Sequence, residues 1–287
     1  MSVFINYQHL QAFVISVVRL CAWLLLLSVV FLPLERLFAL HPRKILRKGL
    51  ASDVGFYFVS GLVPSLLLTP LLALVVLGAH AIVPYRVHAA VAAWPIWARA
   101  VAALIVGEVG FYWGHRWSHE IPFLWRFHCV HHHPAELYFL LSARSHPLDN
   151  VFTRLCGLVP VYLLGLATPL TPSGGAVSAL LVLAVTMWGF LIHANLRWRL
   201  GPLEWVISTP AFHHWHHTSA APRDRNFASM LPVIDLIFGT CHLPGKGWPT
   251  AYGITEKLPG SLRGQLIYPL RPRPGEPDLP TTAAADL

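Results

Sequence analysis

Histidine is the residue type here with the most chemistry in its spacing. The chain holds 17, and 12 of them fall within the 103 residues from His115 to His217. His115 and His119 form HxxxH; His128, His131 and His132 form HxxHH; His213, His216 and His217 form a second HxxHH. His146 stands in Arg144-Ser-His-Pro, and His193 in His-Ala-Asn. On a helix, positions i, i+3 and i+4 share one face. Each HxxHH segment is therefore expected to aim three imidazoles at one point, and HxxxH adds two from another helix. Imidazole suits iron, zinc, copper and nickel. A single catalytic zinc takes three protein ligands and keeps a fourth position open. Eight motif histidines, with His193 added, are too many for one ion, and two ions account for them. The expected ligands are His115, His119, His128, His131, His132, His146, His193, His213, His216 and His217. His133 and His214 break the i, i+3, i+4 geometry and are expected just behind the ligands.

Glu108 shares a helical stripe with Tyr112, His115 and His119. A carboxylate inside an apolar span needs a partner. It is expected to accept from a ligating imidazole N–H, or else to pair with Arg99 or Arg144. His9, His41, His80, His88 and His242 read as hydrogen-bonded structural residues. The four cysteines, Cys21, Cys129, Cys156 and Cys241, form no CxxC and suggest neither a disulfide scaffold nor a thiolate zinc site.

The elements that must position these residues are apolar. Of 287 residues, 55% are hydrophobic and 12% charged, against about 25% charged in soluble domains. This composition excludes a disordered chain and points to an integral membrane protein. A bilayer core needs about 20 mainly apolar residues per helix. Ala12–Leu32, with Arg19 as its one charge, Val54–Val83, Ile96–Trp113, Val151–Leu170 and Ala176–Ile192 qualify. Val54–Val83 carries Pro64 and Pro70 and is either one kinked span or a hairpin. The first span reads as retained, not as a cleaved signal.

The net charge of +8 first suggests nucleic acid, but the basic residues flank apolar spans, which fits anionic lipid and excludes nucleic acid as partner. The connection Glu35–Asp53 holds Arg36, Arg43, Lys44, Arg47 and Lys48, whereas Pro84–Pro95 holds only Arg86. The positive-inside rule makes the first cytoplasmic and the second external. Trp113–Asn150 and everything from His193 are then inside, and the turn Thr171–Gly175 is outside. The expected fold is an all-α, multi-pass integral membrane protein of about four to five transmembrane helices, with a cytosolic helical cap carrying a histidine-rich dimetal site. Residues 1–103 read as an N-terminal transmembrane region, 104–243 as the catalytic region with further spans, and 244–287 as a polar extension. Arg271–Leu287 is expected to be a disordered tail.

The ordered motifs HxxxH, WRFHxxHH, RxHP, HxN and HxxHH resemble the fatty acid hydroxylase superfamily, in particular its sterol desaturase-like branch. Asn226-Phe-Ala-Ser-Met-Leu-Pro-Val-Ile-Asp-Leu-Ile-Phe-Gly-Thr240 is similar to that family's NYGxxLxxWDxLFGT stretch, with Ala228 for the usual Gly and Ile234 for the usual Trp. His214 stands where Arg is common and His133 where Ser is common. The resemblance covers roughly Leu104–Thr240. It implies a non-haem di-iron oxidoreductase that uses O2 to hydroxylate or desaturate a fatty acyl, sterol or other isoprenoid lipid, with zinc able to substitute for iron. It also implies two electrons from a separate donor of ferredoxin or cytochrome b5 type with its reductase. The chain has no HPGG segment of a fused donor and no flavin, haem or iron–sulfur motif. Two rival readings are a membrane-embedded zinc hydrolase using Glu120 or Glu136 as base, and a metal transporter, which would place its ligands nearer mid-bilayer.

Overall fold

The structure, a computed structural model, describes residues 2–167 and 172–271. Among them the chain is helical, with isolated bridges (Ala39 to Leu196 and Thr218 to Tyr252) in place of any sheet. Four helices are long and apolar enough to cross a membrane: α1 (Ser2–Leu37), α2 (Leu50–Ile82), α4 (Ile96–Glu120) and α7 (Pro172–His193). The short α3 (Tyr85–Ala92) joins α2 to α4. The alternatives for Val54–Val83 resolve to one continuous helix of 33 residues with Pro64 and Pro70 inside it. Neighbouring elements can support freed backbone groups in such a helix.

The expected span Val151–Leu170 is shorter than read. It forms α6 (Pro147–Leu163), 17 residues long. It still carries the chain from one end of the bundle to the other, because His88 of α3 donates through Nε2 to the Leu163 carbonyl at 3.0 Å. The chain thus makes five passes, through α1, α2, α4, α6 and α7. Part of the expected turn at Thr171–Gly175, and the tail after Arg271, lie outside the described residues.

Helix α6 packs closely on α4, and glycine permits the approach. A Cβ on Gly110 would lie 2.1 Å from the carbonyl oxygen of Cys156, and one on Gly157 would lie 3.1 Å from that of Gly107. Small residues at such crossings let backbones meet, the main source of helix association in lipid. A second cluster, around Leu27, Phe31, Tyr57, Phe139 and Phe190, joins α1, α2 and α7 to the short 3-10 turn Phe139–Ala143.

The C-terminal ends of α1, α4 and α7 and the starts of α2 and α6 meet at one end of the bundle. Glu35 accepts from the backbone N–H of Phe139 (2.8 Å) and of Asn195 (2.9 Å). Asp53, buried on α2, pairs with Arg144 and accepts from the Tyr138 hydroxyl at 2.5 Å. Three short helices complete the cap at this end: α5 (Pro122–His132), α8 (Pro210–His216) and α9 (Pro232–Ile237), with α10 (Leu262–Ile267) beyond. Helices α5, α6 and α8 each begin with proline in the first turn, where no N–H partner is needed. The Thr209 hydroxyl caps α8 by accepting from Phe212 N at 3.3 Å.

Candidate metal centre

Nine of the ten expected ligands converge at this end, in two adjoining groups. His115, His119, His128, His132 and His216 form the first; His131, His193, His213 and His217 form the second. Within each, one nitrogen per ring lies within 4.8 Å of all the others. The groups touch: the His132 and His217 rings stack at 4.4 Å between centroids. Eight of the nine are no more than 8% exposed, and His119 is half-buried.

The sharing differs from the expectation that each HxxHH segment serves one point. Helix α5 gives His128 and His132 to the first group and His131 to the second. Helix α8 gives His213 to the second and His216 to the first, and His217, which closes its C-terminus, joins His213 in the second. At 3.6 residues per turn, i and i+4 are only about 40° apart around the axis, while i+3 lies about 100° from i+4. In both motifs the i, i+4 pair therefore faces one group and the i+3 ring turns to the other. HxxxH, an i, i+4 pair on α4, sends both rings to the first group.

Six of the nine rings have Nδ1 held from behind by an acceptor. Nδ1 of His115 donates to the Phe227 carbonyl (2.7 Å), of His131 to that of Arg144 (2.9 Å), of His193 to that of Gly189 (2.7 Å) and of His216 to that of Arg225 (2.9 Å). His128 Nδ1 faces both Asp149 oxygens at 3.1 Å, and His119 Nδ1 faces Asp224 at 2.9 Å. Donating from Nδ1 fixes the tautomer that leaves the Nε2 lone pair free.

Those lone pairs face one another. His131 and His193 have both Nδ1 protons committed outward, yet their Nε2 atoms stand 3.2 Å apart. The His132–His216 and His193–His213 pairs approach to 3.0 and 2.9 Å. Two nitrogens bound at about 2.1 Å to one ion, at right angles, stand about 3 Å apart. His119 Nε2 is buried without any partner. Protons do not fill these gaps: burial, then the charges of neighbouring histidines, drives the pKa of His131 down to about 4 and those of His132, His213, His216 and His217 well below the ordinary value. The donor set fits metal cations.

His146 is not brought into either group. Its Nδ1 accepts from Leu148 N at 3.2 Å, capping α6, and its Nε2 donates to the Leu266 carbonyl at 3.1 Å. Both nitrogens are used, so the geometry gives nine ligand candidates. His214 bonds Tyr252 and the Ala194 carbonyl, supporting the peptide next to His193. Neither it nor His133 touches a ring of the nine through a hydrogen bond among the described residues.

Glu108 takes neither expected partner. It accepts from Ser229 Oγ (2.5 Å), Met230 N (2.8 Å) and Leu231 N (3.3 Å). Asp235 accepts from Phe227 N and Ala228 N, both at 2.8 Å. Two buried carboxylates thus clamp the loop whose Phe227 carbonyl holds His115, and Glu108 acts through that backbone. Asp149 and Asp224 were missed as supports. A signal for Asp149 exists in its place in the first turn after Arg-Ser-His-Pro, whereas Asp224 carries none, since its left-handed backbone (φ 57°) is not written in the local sequence. The bases invoked for a hydrolase are occupied: Glu120 pairs with Arg116 at 2.7 Å, and Glu136 with Arg43.

A cavity of about 1000 Å³ runs from the two groups up between α1, α2, α4, α6 and α7. His115, His128, His131, His193 and His213 line its floor, and Leu27, Phe111 and Phe190 are among its apolar walls. It has the size and character of a site for a long apolar ligand.

Residues 100–240 match the family model described as fatty acid hydroxylase. The chain is 37% identical over 177 residues to the ornithine lipid hydroxylase OlsE of Rhizobium tropici, covering 61% of this chain and 51% of that protein. It is 35% identical over 167 residues to the alkylglycerol monooxygenase of Danio rerio, covering 58% and 34%. It is 27% identical over 159 residues to methylsterol monooxygenase 2-2 of Arabidopsis thaliana, covering 51% and 54%. The chain thus spans about half of these relatives' length, or less. No solved structure matches it. Through its residues 100–240, the chain belongs to the fatty acid hydroxylase family.

Proposed function

We propose that this protein is a membrane-bound lipid oxygenase, with two irons held by the nine histidines, that uses O2 and two external electrons to hydroxylate or desaturate a lipid. The observation that carries the reading is the pair of imidazole groups opening directly onto a large, mainly apolar cavity inside a helical bundle. The names of the relatives, a lipid hydroxylase and two monooxygenases, support the same class. When bound, the irons supply reductive activation of O2 and removal of hydrogen from an unactivated C–H bond.

The chain's own residues do the rest. The carbonyls of Phe227, Arg144, Gly189 and Arg225, with Asp149 and Asp224, hold the rings in one tautomer and orientation. The cavity walls align a chain over the imidazole floor and keep water from it. The loop with Arg36, Arg43, Lys44, Arg47 and Lys48 lies at the metal end of the bundle, and Arg86 at the other, which supports a cytoplasmic site. The same basic face would dock an acidic ferredoxin or cytochrome b5.

The test is metal analysis joined to lipid mass spectrometry. Two irons per chain, and a reduced-donor- and O2-dependent product 16 mass units heavier or 2 lighter than its precursor, are expected. One zinc per chain with oxygen-independent activity would replace this reading by a hydrolase.

A further inference from the structure

The cavity wall carries two cations that the metal site does not use. Arg19 is the one formal charge in the first 34 residues of the chain, and it sits about 17 Å of helix from the start of its span at Gln8. Arg154 is the one basic residue of α6. Both line the cavity that ends on His115, His128 and His131. Neither makes a hydrogen bond or ion pair among the described residues. The one carboxylate lining the cavity, Asp149, is committed to His128 and Ser145. A guanidinium within a membrane bundle is costly unless an anion answers it, and two lining one otherwise largely apolar cavity, from α1 and from α6, form a receptor for oxyanions.

We propose that Arg19 and Arg154 make this cavity selective for lipids bearing an acidic group, a phosphate or a carboxylate, over neutral lipids of the same chain length. The acid group rests against the arginines while the apolar portion fills the rest of the cavity above the histidine floor. This deepens the oxygenase reading by naming the substrate class, but binding can be tested without turnover.

The experiment is equilibrium binding to the full-length, metal-loaded protein in neutral detergent. The probes are hexadecyl phosphate, palmitate and hexadecanol, with inorganic phosphate as competitor. The acidic probes are expected to bind at least roughly tenfold more tightly than hexadecanol. The preference should vanish in the double variant Arg19→Gln/Arg154→Gln and persist in Arg154→Lys, with metal content unchanged. Millimolar inorganic phosphate should fail to displace hexadecyl phosphate, showing that the tail is part of the ligand; displacement would identify a free-anion site and overturn the lipid assignment. Equal binding of all three probes, or a preference untouched by the double Gln variant, would also overturn it. A protein that shows the preference yet forms no oxygenated product would overturn the oxygenase reading and leave this one standing.

Discussion

His115 Nδ1 donates to the carbonyl oxygen of Phe227 at 2.7 Å, across 112 residues of sequence. The acceptor is held as firmly as the donor, since Asp235 and Glu108 between them take the N–H groups of Phe227, Ala228, Met230 and Leu231. Glu108→Ala should therefore loosen a ring it never touches. We expect metal affinity to fall roughly 10- to 100-fold, the usual cost of losing a support behind a ligand, with Glu108→Gln intermediate. Competitive chelator titration measures it, and an unchanged affinity would detach the loop from the site.

His131→Ala and His132→Ala each remove a ring from a different group. Both should lose product formation and drop below two irons per chain. His146→Ala should keep both metals, because that ring faces Leu148 and Leu266 instead. It should lose about 1 kcal/mol of stability with its helix cap. Retention of two irons by His131→Ala, or their loss from His146→Ala, would contradict the assignment.

Acid should weaken the His146 cap in a traceable way. Burial lowers its pKa below the ordinary value, against smaller upward pulls from the Leu266 carbonyl and Asp149. A histidine that folds neutral contributes stability above its unfolded pKa of about 6.5. That contribution is lost as pH falls through this value toward the folded one, because only the unfolded chain takes up the proton. The stability difference between wild type and His146→Asn, which caps without titrating, should shrink as pH drops from 7 to 5. Thermal unfolding of the metal-free proteins reads this, and a pH-independent difference would refute it.

Gly110→Ala should separate α4 from α6, since its methyl group would fall 2.1 Å from the Cys156 carbonyl. A loss of about 1–3 kcal/mol is expected from overpacking, seen as a lower Tm in detergent. Full stability would mean that the two helices do not depend on this contact.

Much of this was legible in the residues. Apolar run length marked all five passes, though it drew α6 too long, and histidine spacing marked eight of the nine ligand candidates, with His193 added at the end of its span. The helix starts at Pro122, Pro147 and Pro210 carry the ordinary proline signal. What the spacing could not show was allegiance. One helical face reads the same whether three rings meet at one point or divide, and only the approach of α8 to α5 splits His131 from His132. Glu108 was legible as needing a partner, but that partner is backbone more than 120 residues away, which no local pattern encodes. His146 looked like a ligand because a capping imidazole and a coordinating one stand in the same Ser-His-Pro setting.

The crossed distribution of rings has a consequence for assembly. Helices α5 and α8 each contribute to both histidine groups, so whichever ion arrives first must order both helices and thereby build the vacancy for the second. Loading should be nearly all-or-none, with singly charged protein scarce even when metal is limiting.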